Sequence, residues 1–87
     1  MFVININLNQ NRDAEAIKHK ESHANWVIRN LEEGTFLYAG QKPDKKGGVV
    51  ITKDISEKEL YDIMNTDSYV INDVINFNIL EFDNLKR

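Results

Sequence analysis

His19 and His23 are the two histidines of the chain, and they stand four positions apart, a spacing that places both on one face of a helix. Two imidazoles on one face can begin a divalent metal site. A third ligand is needed, and neither cysteine nor a suitably spaced acid supplies it. The string His19-Lys20-Glu21-Ser22-His23 is close to the zinc-binding H-E-x-x-H pattern, but its Glu is displaced by one position and points elsewhere round the helix. No metal is expected. Ser22 lies about 100° round a helix from His23, a poor geometry for a nucleophile and its base. Asp67 is the more useful companion, because a carboxylate beside an imidazole fixes its tautomer and strengthens it as a general base. On residue types alone two readings stay open: a His23-Asp67 dyad, or a surface histidine and a loop aspartate that never meet.

The elements around these residues decide whether they can meet. Phe2, Ile4, Ile6 and Leu8 alternate with Val3, Asn5, Asn7 and Asn9, the period of a half-buried strand. From about Asp13 to Glu33 the period lengthens, with Ile17, Ala24, Val27, Ile28 and Leu31 as the apolar stripe of one long amphipathic helix ended by Gly34; Asn11 and Asp13 are its candidate N-caps. Residues 35–40 and 47–53 are strand-like, and Gln41 to Lys46 between them is turn-forming, so a hairpin is expected. Ser56 with Glu59 forms a capping box that opens a second helix, with Leu60, Ile63 and Met64 inward and an end near Asn65. Val74 to Phe82 alternates again and forms the last strand.

The order β-α-β-β-α-β predicts an α+β, ferredoxin-like fold over residues 1–87 as a single domain: a four-stranded antiparallel sheet with two helices on one face. In that topology the end of the first strand, the start of the first helix, the hairpin and Asp67 collect at one end of the sheet. His23 reaches the same end. Asn5, Asn7, Asn76 and Asn78 fall on the face that the helices leave open, together with Val3, Leu80 and Phe82. Such a face either meets water or is covered by a second sheet, in which case the asparagines line a cleft. Trp26, one turn after His23, is either a core or interface aromatic or the apolar wall of a pocket, and Tyr69 carries the same two readings. Lys42, Lys45 and Lys46 read as a solvated loop tip.

The 87 residues contain no cysteine, so no disulfide supports the core, and self-association is expected at this size. Asp and Glu outnumber Lys and Arg by 14 to 11, a formal charge of -3 that offers no footprint for a phosphate backbone. Nucleic acid is therefore not expected as a partner. An RNA-binding ferredoxin-like domain also needs aromatic pairs on its middle strands that are missing here. Apolar runs fall far short of the roughly 18 residues of a membrane span, and no targeting segment is visible, so a cytoplasmic protein without membrane partners is expected.

Taken in order, His23, Gly34, Leu37-Tyr38-Ala39-Gly40, Ser56 with Glu59, Asp67-Ser68-Tyr69 and Ile79-Leu80-Glu81-Phe82 resemble the YciI-like protein family along essentially the whole chain. The resemblance implies a ferredoxin-like subunit that pairs into a dimeric α+β barrel, as a homodimer or a higher oligomer built from it. It also implies a His-Asp dyad, carried over to His23 and Asp67, in a cleft that binds a small metabolite. One branch of the family resembles lactone dehalogenases acting on chlorinated muconolactones. The chain departs from the family pattern at Lys20, where Arg is frequent, at Ser68 and Gln41, where Pro is frequent, and at Asp73, where a small residue is frequent.

Two functions follow as expectations. The first is an acid-base enzyme of lyase or isomerase type, without cofactor, acting on a small anionic or lactone-type metabolite. His23 would move the proton, Asp67 would orient it, Lys20 would offer positive charge, and Asn7, Trp26 and Tyr69 would contact the substrate. The second is a non-catalytic binding or interaction module on the same barrel that uses the asparagine strip. A cofactor-free monooxygenase, with Asn7 and Trp26 as its test residues, ranks behind both because its motif is missing.

Overall fold

A computed structural model describes residues 1–85. Its elements are β1 (Phe2–Leu8), α1 (Asp13–Lys18), α2 (Lys20–Glu32), β2 (Phe36–Gln41), β3 (Gly47–Thr52), α3 (Glu57–Met64), α4 (Ser68–Ile71) and β4 (Ile75–Glu81). The four strands form one sheet in the order β2-β3-β1-β4 with every neighbouring pair antiparallel, the ferredoxin-like α+β arrangement. Alternation along β1 sends Phe2, Ile4 and Ile6 into the core, where they join Val50, Val74 and Ile75, with Trp26 from α2 and Leu60 and Met64 from α3. Ser56 caps α3 as expected, with Glu59 N–H donating to Ser56 Oγ at 3.1 Å, while the Glu59 carboxylate accepts from the Ser56 hydroxyl at 3.2 Å rather than from its backbone N–H.

The long helix expected over 13–33 is instead two helices that meet at His19, whose φ of -105° and ψ of 10° leave the helical basin. The His19 carbonyl accepts from the Ser22 hydroxyl at 3.0 Å as well as from the His23 N–H at 3.0 Å, and side-chain competition of this kind bends helices. Neither expected N-cap acts: Arg12 holds that position without a side-chain bond, and Asn11 takes a left-handed φ of 60°. The expected apolar stripe is also rotated. Trp26 and Asn30 are the buried residues of α2, whereas Ile17 and Ile28 remain 77% and 50% exposed. Trp26 turns inward because its ring packs edge-on against Phe36 while its indole N–H reaches Thr66 Oγ1 at 3.0 Å. Asn30 can follow it because its amide donates to the Trp26 carbonyl at 2.9 Å.

A register shift between Phe36 and Tyr38 lets Phe36 enter the core while Leu37 stays exposed. Beyond it, Tyr38, Ile51, Val3 and Leu80 stand side by side across the open face, one from each strand. Asn5 faces Asn78 and Asn7 faces Asn76 on the same side. Gly47 opens β3 at φ +151°, and a Cβ there would lie 2.0 Å from the Ile6 carbonyl oxygen, so only glycine lets β3 approach β1 at this point.

Candidate active site

His23 sits in the first turns of α2 and Asp67 immediately before α4, and the topology joins them: His23 Nδ1 lies 2.8 Å from Asp67 Oδ1. Asp67 is the N-cap of α4, with its Oδ1 also accepting the Tyr69 N–H at 3.1 Å. Its side chain is fully buried, and the imidazole is 21% exposed. A carboxylate only accepts, so the ring nitrogen facing it carries a proton, and in the neutral imidazole Nε2 then holds the lone pair. Nε2 has no hydrogen-bond partner among the described residues. The second carboxylate oxygen, Oδ2, is buried and likewise unpartnered among them.

Aromatic rings hold the imidazole in place. Tyr69 stacks on it with centroids 3.9 Å apart and planes 5° from parallel, and Trp26 stands behind at 5.9 Å. The Tyr69 hydroxyl donates to the Ala16 carbonyl at 2.8 Å, tying α4 to α1. Burial, and secondarily the Asp67 charge, push the Tyr69 phenol above its usual range. Ser68, where the resembled family has Pro, bonds to Ser22 through the two hydroxyls at 2.7 Å, a link from α4 to α2 that proline could not make. Asp73 takes a left-handed φ of 56°, a conformation that Asp tolerates better than most side chains do.

In front of the imidazole, between α1, α2 and the sheet, lies a cavity of about 490 Å³, within the usual range for small-ligand sites. Ile6, Leu8, Val27 and Val50 give it apolar walls, and His23, Lys20, Tyr69 and Lys45 reach it. Of the residues singled out from the sequence, His23, Asp67, Lys20 and Tyr69 therefore come together. Asn7 does not: it lies on the open face of the sheet, where its Oδ1 accepts from Lys42 Nζ at 2.8 Å. Trp26 also stays outside the cavity, 2% exposed, as a core residue backing the imidazole. The dyad consequently faces the helix side of the sheet, and the asparagine strip is across the sheet from it.

Sequence reading set Lys45 aside as a loop-tip charge beside a hairpin turn and missed α4, whose only sign is Asp67 as a cap. His19 pairs with Glu15 at 3.4 Å between Nε2 and Oε2. Among the described residues no group of three or more His, Cys, Asp and Glu is placed to hold a metal ion, and no helix is long and apolar enough to cross a membrane.

No family model matches the chain, and no curated protein does. Among solved structures, 5-chloro-2-hydroxyhydroquinone dehydrochlorinase (TftG) from Burkholderia phenoliruptrix AC1100, in complex with 2,5-dihydroxybenzoquinone, superposes with a TM-score of 0.78. The match covers 94% of this chain and 92% of that one at 14% identity. The chain is thus similar in fold, across nearly its whole length, to a dehydrochlorinase that holds a small ring in its structure.

Proposed function

We propose that this chain is a cytoplasmic YciI-like protein that binds a small anionic or lactone-type metabolite in the cavity beside α2 and moves a proton on it. The observation that carries this reading is the 2.8 Å contact between His23 and a fully buried Asp67, with His23 itself among the residues that line the cavity. Such a pair suits a base that takes a proton from a carbon next to a carbonyl. The C–H electron pair enters the carbonyl system as an enolate. Reprotonation at another carbon gives isomerisation; departure of a β-substituent with its own bonding pair, as the enolate pair forms the new carbon–carbon double bond, gives elimination. Lys20 offers charge to the developing enolate. The dehydrochlorinase likeness in fold is consistent with elimination, although fold alone does not set chemistry.

The same reading includes a homodimer formed sheet to sheet. Tyr38 and Leu80 are 70% and 66% exposed at the two ends of an apolar row that crosses the open face, and a second copy would cover that row.

The test uses 2,5-dihydroxybenzoquinone, the molecule bound by the structural neighbour, whose ring hydrogens lie between enol and carbonyl carbons. In D2O the wild-type protein should bind it, shift the His23 ring signals and speed exchange of those hydrogens. His23→Ala should remove the acceleration and leave folding and self-association unchanged. Binding without any acceleration would assign the cavity to a non-catalytic binding module. Binding that leaves the His23 signals unmoved would overturn the site itself.

A further inference from the structure

The β2–β3 hairpin places a lysine where glycine fits best. Lys45 N–H donates to the Lys42 carbonyl at 2.9 Å, closing a turn through Pro43 and Asp44, and Lys45 takes a left-handed φ of 62°. Hairpin turns that close on a left-handed residue favour glycine, because a Cβ strains that conformation. The turn is well fixed. Lys46 N–H donates to Asp44 Oδ1 at 2.9 Å, and the Leu8 N–H at the end of β1 donates to the Lys46 carbonyl at 3.0 Å. Its three lysines then part company: Lys42 bonds to Asn7 across the sheet, whereas Lys45 reaches the cavity that holds Lys20 and His23.

Charge separates this cavity from the rest of the molecule. The chain carries 14 acidic and 11 basic side chains, yet no Asp or Glu lines the cavity, and two lysines from different elements do. Strained backbone kept at a cavity's edge is a common mark of function.

We infer that Lys45 and Lys20 form a two-lysine clamp for the carboxylate or enolate of a ring-sized, otherwise apolar ligand whose body lies against Ile6, Leu8, Val27 and Val50. The clamp rests on the reading of this cavity as a ligand site, and adds both the charge class of the ligand and the hairpin residue that selects it. The anion sits between two ammonium groups on flexible stems, one on a helix and one on the turn, while the ring displaces water from the apolar wall.

Benzoate and benzamide, equal in ring and different in charge, are the probes, titrated into the full chain and followed through the His23 ring signals. Wild type should bind benzoate about a hundredfold more tightly than benzamide, about tenfold for each of two charge-assisted contacts. Lys45→Gly should reduce the preference to about tenfold, the share left to Lys20, while leaving benzamide binding unchanged and the melting temperature equal or higher, since glycine relieves the turn. Equal binding of the two probes by wild type, unaltered benzoate binding by Lys45→Gly, or no binding of either probe overturns the clamp. None of these results touches the exchange experiment with 2,5-dihydroxybenzoquinone, which judges the His23-Asp67 reading separately. A Lys45→Arg variant that restores the preference for benzoate would support charge rather than turn geometry as the cause.

Discussion

On β1, Phe2, Ile4 and Ile6 turn toward the helices and are buried, whereas Val3, Asn5 and Asn7, each one residue further along, turn to the open side and stay half-buried. The helix side is closed by the chain's own elements, so its polar groups can be locked by local partners: Asp67 by the Tyr69 N–H, the imidazole by Asp67, the indole by Thr66. The open side receives no such closure. Its apolar row and its asparagines face outward, where the second copy of the proposed dimer would cover them. The proposed proton chemistry thus lies on one side of the sheet and the proposed self-association on the other, so each should break without the other.

The largest effect is expected at the dyad. His23→Ala should lower proton-transfer rate by about 10²–10⁴-fold, measured as ring-hydrogen exchange, with the fold retained. Next, Ile4→Ala on the helix side should cost about 2–5 kcal/mol in urea unfolding, while Leu80→Asp on the open side should leave a folded chain that sediments as a monomer where wild type sediments as a dimer. If that monomer still moves the His23 signals with the quinone probe, the two sides are independent; loss of the response would join them. Asp67→Ala removes a cap and the imidazole's partner together and should cost about 1–3 kcal/mol of stability, again by urea titration.

The smallest effect concerns Tyr69. Its phenol is shifted upward, so the folded state holds the proton more tightly than the unfolded chain does. Stability from this group is complete below the ordinary tyrosine value of about 10 and is lost as pH rises through the folded value. Thermal unfolding should therefore show a shallow decline above about pH 10 that Tyr69→Phe flattens.

The strands were legible because period two leaves no choice of face: once Phe2, Ile4 and Ile6 are inward, Asn5 and Asn7 must be outward, and β4 follows through its register. The helical phase was not so constrained. Val27 and Ile28 are adjacent, and an apolar stripe wide enough to include both can rotate toward either. The outcome was set by tertiary partners, Phe36 and Thr66 for Trp26, that lie far along the chain. The meeting of His23 with Asp67 was legible as a topological permission, and the residue types made it chemically sensible. Lys45 was hidden for a different reason: a charged residue in a turn looks solvated until the backbone angle and the neighbouring cavity are known.

The close approach at Gly47 has an evolutionary reading. A library saturating every position should be purged of all replacements there, because even a methyl group would wedge β1 from β3 directly beneath the cavity floor. Two residues earlier, at Lys45, selection for folding alone should enrich glycine, and only selection for ligand should bring lysine back. Two codons of one hairpin, with a single codon between them, would thus record two separate histories, one of strand pairing and one of chemistry.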